Sequence, residues 1–127
     1  MVLDTHVWLW WIDEDPRLSV AASEAIERGG DIGVSTISMW EVATLERLGR
    51  IRLLPDLRTW IRRAVAPDGV SALPPTPEIA VAAGSLLPPF PGDPADRIIY
   101  ATALVGDSRI VSGDRRFARH DPARVVW

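Results

Sequence analysis

The sequence predicts an α/β fold in three layers, with a central, mainly parallel sheet covered by helices on both faces. Three observations point there. Short β-branched apolar runs alternate with longer stretches of helical periodicity, as expected when parallel strands are joined through helices. Gly and Pro stand at most of the boundaries between them. A chain of 127 residues with 47% hydrophobic content is also long enough for one real core, burying roughly two thirds of its unfolded surface, and short for two.

In chain order, the first strand is expected at residues 1–3 and a helix at 5–12, directly after Asp4. A helix over 19–28 follows Pro16 and is stopped by Gly29-Gly30. The second strand is read at 32–35. The next helix is read at 38–48, opened by Ser38-Met39-Trp40-Glu41 as a capping box and closed by Gly49. Pro55 precedes a helix at 57–65, a strand follows at 70–73, and a helix at 77–86. The run Pro-Pro-Phe-Pro-Gly at 88–92 is a rigid loop. Asp93 caps the helix at 94–105, with Pro94 as its first residue. The last two strands are expected at 109–112 and 124–127. No repeat, low-complexity tract or linker interrupts the pattern, so residues 1–127 are read as a single domain.

The run Val7-Trp8-Leu9-Trp10-Trp11-Ile12 is apolar all round, so its helix needs burial on more than one side, in the core or partly at a self-association face. No segment reaches the ~18 uninterrupted apolar residues of a membrane span, and the N-terminus lacks the order of a secretory leader. The expected location is therefore the cytosol. With no cysteine and only two histidines, disulfides and thiolate or histidine zinc cages are excluded, so any metal is oxygen-ligated.

A net charge of −3 argues against a general phosphate-backbone binder. Every basic residue is Arg, however, and several cluster at Arg47-Arg50-Arg52, Arg62-Arg63 and Arg115-Arg116-Arg119. Such groups suit bidentate phosphate contact, or else are ordinary solvated faces. The absence of Lys removes a P-loop and the lysine that receiver and phosphatase-like domains commonly need.

The topology locates the acids. Ligand sites in open α/β folds form outside the carboxyl ends of the strands. Asp4 follows the first strand and Asp114 follows the strand ending at Ser112. Glu41 is near the start of the helix leaving the same edge, and the antiparallel return of the helix at 94–105 puts Asp96 there too. Singly, each has an alternative role as a cap, a first-turn acid or a turn residue. Jointly, carboxylates that face one another repel and raise one another's pKa, a penalty that a divalent cation removes. Mg²⁺ suits such a donor set, and one or two metals at this edge would serve phosphodiester hydrolysis.

The segments LDTHVWLWW, VSTISMWEVATLERLGRIRL, GDPADRIIYATAL and IVSGDRRF, in this order, resemble PIN-domain ribonucleases of the VapC toxin type over nearly the whole chain. The resemblance implies an α/β/α fold and Mg²⁺- or Mn²⁺-dependent endonuclease activity on RNA. It further implies a cognate VapB-type antitoxin and a homodimer. By position, Asp4, Glu41, Asp96 and Asp114 match the family's acidic quartet. Asp4 and Asp96 are then direct ligands, Asp114 a ligand directly or through water, and Glu41 a ligand or the acid that orients water. Thr5 and Ser112 stand as hydroxyl contacts, Asp93 as a helix cap, and Arg97 as a partner of a site acid or of RNA. The chain departs from the pattern at Ala95, where Phe is common, and at Pro91-Gly92, where His-Arg or His-Gly is frequent. Only three residues precede Asp4, which implies a short edge strand or an upstream start. Two catalytic rivals fail on residues: a haloacid-dehalogenase-like phosphatase needs an Asp where His6 stands, and a receiver domain needs a Lys. The remaining alternative is a non-catalytic PIN-like interaction module.

Overall fold

The computed structural model describes residues 1–90 and 92–127; Pro91, and with it part of the expected 88–92 loop, lies outside them. The elements run β1 (Val2–Leu3), α1 (Thr5–Ile12), α2 (Val20–Arg28), β2 (Ile32–Ser35), α3 (Thr36–Arg47), α4 (Leu57–Ala64), β3 (Val70–Leu73), α5 (Pro77–Ser85), α6 (Pro94–Val105), β4 (Ile110–Val111), α7 (Arg115–His120) and β5 (Val125–Val126). All strand pairs are parallel, in the order β3-β2-β1-β4-β5.

Two-residue strands make a sheet here because each is buried on both faces. Val2 and Ile110 point into a cluster with Ile99, Tyr100 and Ala103 of α6 and Phe117 of α7. Their neighbours Leu3 and Val111 point the other way, into a cluster with Trp8 of α1, Ile26 of α2, Val42 of α3 and Trp60 of α4. This period-of-two alternation separates the two helical layers. Trp8 is fully buried and meets the Trp60 ring edge-on at 5.0 Å. The tryptophan run is therefore core at Trp8, while Trp10 and Trp11 are only partly covered.

Three expectations are corrected. β1, read as an edge strand, is the centre of the sheet, with β2 on one side and β4 on the other. The helix expected from residue 38 begins at Thr36, with Ser35 at its N-cap and no side-chain cap bond, so Ser38-Met39-Trp40-Glu41 is no capping box. Ser38 lies inside the helix, where its buried hydroxyl has no partner among the described residues. Helix α7 was not expected at all. Among the described residues no helix is long and apolar enough to cross a membrane.

The strand order sets the position of the site. From β1 the chain steps outward through β2 and β3, then returns to the other side of β1 for β4 and β5, so the direction reverses between β1 and β4. The crevice at such a switch point lies outside the carboxyl ends of those two strands. Asp4 follows one of them, and Ser112 through Asp114 follow the other.

Candidate active site

Asp4 enters the site straight from β1, its backbone N–H bonded to the Val111 carbonyl at 3.1 Å. It is buried at 9% exposure. Its Oδ1 accepts from the Thr5 N–H at 2.7 Å and its Oδ2 from the Ser112 hydroxyl at 2.6 Å. Asp4 thus caps α1 and faces the crevice at once, so capping and site roles are not alternatives for it. Even so, burial pushes its pKa up against these donors and against the nearby His6. Two hydrogen bonds leave part of the cost of the buried charge uncompensated.

Glu41 comes from the second turn of α3 and accepts the Thr5 hydroxyl at Oε2. Burial raises its pKa too, ahead of repulsion from Asp4 and Asp93. Asp96 sits in the first turn of α6, below Asp93, whose side chain caps that helix at the Ala95 and Asp96 N–H groups. Burial, followed by the neighbouring acids, lifts Asp96 to about 6 although Arg116 stands beside it. Desolvation, more than the mutual repulsion expected from the sequence, therefore dominates these three shifts.

Asp114 moves in the opposite direction. It caps α7 through the Arg116 N–H at 2.8 Å, and the Arg116 side chain holds its carboxyl below the usual carboxylate range. The same guanidinium reaches across to Asp96 Oδ2 at 2.9 Å. Arg116 therefore clamps two acids of the quartet, and its own pKa is raised by them.

Asp4, Glu41, Asp96 and Asp114 all line one cavity of about 330 Å³, together with His6, Trp10, Arg116 and Trp127. The N-termini of α1, α6 and α7 meet there, and their partial positive charge favours carboxylates and phosphates. Thr5 and Ser112 stand behind the acids as hydroxyl donors, and Asp93 is a cap. Arg97 is placed elsewhere: its guanidinium donates to the Ala83 carbonyl at 2.9 Å and the Leu86 carbonyl at 2.6 Å, closing the end of α5.

The donor set suits a hard divalent cation, being all carboxylate and partly desolvated. Among the described residues, however, no group of three or more acidic or histidine side chains is already arranged to hold one. Asp96 and Asp114 are spanned by Arg116 instead, a cation in the place where charge is needed. The side chains fit the ion by type, provided Arg116 yields.

Sequence reasoning missed Arg116, His6, Trp10 and Trp127 as site residues. The signal for Arg116 was its position two residues after Asp114, where an N-cap's neighbour can fold back onto it. Trp127 is legible only through the strand order, which sets β5 beside β4.

The family profile described as PIN domain matches residues 1–122. The chain is 42% identical over 129 residues to Ribonuclease VapC22 of Mycobacterium tuberculosis (strain ATCC 25618 / H37Rv), covering 100% of this chain and 98% of that protein. In fold it is similar to a chain of the crystal structure of VapBC2 from Rickettsia felis bound to a DNA fragment from their promoter. There the TM-score is 0.67 at 14% identity, with 98% of this chain and 95% of that chain covered. A toxin-antitoxin complex from Klebsiella pneumoniae matches with TM-score 0.69 at 19% identity, covering 99% and 95%. The chain belongs to the PIN-domain family, in its VapC branch.

Proposed function

We propose that the protein is a cytoplasmic endoribonuclease dependent on Mg²⁺, with Mn²⁺ as a substitute, and the toxin of a toxin–antitoxin pair restrained by a VapB-type antitoxin and working as a homodimer. The observation that carries the reading is the meeting of four carboxylates, at the N-caps of α1 and α7 and within α3 and α6, at the switch-point cavity. The full-length similarity to a protein named as a ribonuclease supports the reaction class, and the two toxin–antitoxin complexes of like fold support the partner.

In this reading Asp4 and Asp96 hold the cation, Asp114 joins them directly or through water, and Glu41 completes the set or orients the attacking water. A divalent cation held there would supply an activated water and offset charge gathering on the phosphoryl oxygens. The chain's own residues do the rest. Ser112 and the Thr5 N–H fix the Asp4 carboxylate in one orientation. Thr5 holds Glu41, whose raised pKa suits it to take the proton from water. Arg116, released from Asp96, offers a planar fork of N–H donors to the non-bridging oxygens of the phosphate.

The test is cleavage of a panel of structured RNAs with Mg²⁺, with Mn²⁺ and with EDTA, using wild type, Asp4→Asn and Asp96→Asn. The proposal requires cutting that needs the metal and disappears in both variants. Cutting by either variant at the wild-type rate removes the assigned ligands.

A further inference from the structure

A second cavity, of about 340 Å³, opens beside the acid site and shares two of its walls, His6 and Trp10. Its other charged lining is mainly basic, three arginines against one acid, Asp13. Arg17 comes from the turn after α1, and Arg50 and Arg52 from the segment after α3. Arg17 is held by Asp15 and lies over the Trp10 ring, its guanidinium carbon 5.2 Å from the centroid. Arg50 and Arg52 are exposed and form no ion pair among the described residues. They belong to one of the arginine clusters that the sequence singled out and that the acid site leaves unused.

Between the two cavities runs an aromatic wall. The Trp10 ring is tilted against Trp127 with centroids 5.8 Å apart and against His6 at 5.9 Å. Trp127 is 43% exposed while lining the acid cavity. It is also held in place, because a Cβ on Gly113 would stand 2.9 Å from its ring. A large, positioned and half-exposed indole beside a polar cavity offers a π-face to a planar group.

From this juxtaposition we infer that the Arg17–Arg50–Arg52 groove and the Trp10–Trp127 wall form a track for single-stranded RNA leaving the acid site, with Arg50 and Arg52 on its phosphates and a base stacked on the indoles. The inference rests on the proposed nuclease reading for its choice of polyanion. It also bears on how a chain of net charge −3 takes a nucleic acid: three of its arginines line a cavity that shares two walls with the acid site. Arg17, already neutralised by Asp15, buttresses Trp10, whereas Arg50 and Arg52 carry the charge that a backbone would neutralise. Stacking and phosphate contact without base-edge hydrogen bonds make the track tolerant of sequence, so target choice lies at the scissile position or in the RNA's shape.

The test is equilibrium binding of a fluorescein-labelled, random-sequence RNA 20-mer in EDTA across a salt series, which separates binding from cutting. Compared are wild type, the double variant Arg50→Ala/Arg52→Ala, Trp127→Leu, and Arg63→Ala as a surface control on α4. The double variant should bind at least about 10-fold more weakly, and its log–log salt slope should fall by roughly 1.4, the value for two lost single-strand phosphate contacts. Trp127→Leu should weaken binding with the slope unchanged, since it removes stacking and no charge. Wild-type affinity and slope in the double variant overturn the track. So does equally effective competition by a poly-glutamate peptide of the same charge, which would assign the groove to an acidic protein segment. Cleavage of the structured RNA panel with Mn²⁺ is scored separately. Groove-dependent binding without cleavage by wild type sinks the nuclease reading and leaves the track standing; cleavage with groove-independent binding does the reverse.

Discussion

Replacing Asp96 with Asn should make the divalent-free protein more stable at neutral pH. In the folded state burial lifts the Asp96 pKa from 3.8 to about 6, with Arg116 only partly offsetting it. At ~1.4 kcal/mol per pKa unit the difference amounts to ~3 kcal/mol of extra ionisation cost on folding. Solvent reaches the side chain, which is 18% exposed, and screening reduces the expected gain to ~1–2 kcal/mol. The sign follows from proton binding. Between pH 3.8 and about 6 the folded protein holds a proton that the unfolded chain has released, so wild-type stability falls as pH rises through that window. Asn keeps the shape without the ionisation. The gain is therefore near zero below about pH 4 and complete above about pH 7. Urea denaturation of both proteins in EDTA across this range measures it, and in thermal melts it corresponds to roughly 3–8 °C at neutral pH. Glu41 titrates in both proteins and cancels in the difference, whereas Asp4 repels Asp96 and its own titration shifts in the variant by that same coupling. A variant less stable than wild type at neutral pH, or a difference that does not vary with pH, would refute the desolvation argument.

Other consequences follow from the same contacts. Arg116→Gln removes the cation that spans Asp96 and Asp114; it should destabilise the protein in EDTA and tighten Mn²⁺ binding about tenfold by calorimetry, since the ion no longer competes with a charge-assisted hydrogen bond. Ser112→Ala leaves the buried Asp4 carboxylate without its hydroxyl donor and should cost ~1–3 kcal/mol near neutral pH, and less in acid where Asp4 is protonated. Phe117 is fully buried between Phe90 and Tyr100, so Phe117→Ala should cost ~3–5 kcal/mol in denaturant unfolding. Gly113→Ala should displace the Trp127 ring, seen as a shift in tryptophan emission, with little change at Trp8, which lies in the core.

Much of the architecture was legible because the strands are β-branched runs bounded by Gly and Pro, and because a cap such as Asp93 is a local signal. The meeting of the acids followed from topology alone, since residues just past parallel strands share one edge. What escaped depends on tertiary context. Helix α7 is a six-residue segment, Arg-Arg-Phe-Ala-Arg-His, with a single large apolar anchor, too short for periodicity and held by Phe117 in the core. The start of α3 was misjudged because Ser38 and Glu41 mimic a capping box, whereas the chain turns straight from β2 into the helix at Thr36. The direction of the Asp114 shift escaped as well, since repulsion between acids was expected and the Arg116 clamp was not.

The central claim is that these carboxylates form one divalent-cation site. Titration of Mn²⁺ followed by electron paramagnetic resonance tests it most directly, with wild type beside Asp4→Asn and Asp96→Asn, each verified as folded by circular dichroism. Wild type should remove Mn²⁺ from the free six-line spectrum to saturation, while neither variant does so over the same range. Equal uptake by all three proteins, or none by wild type, would contradict the account.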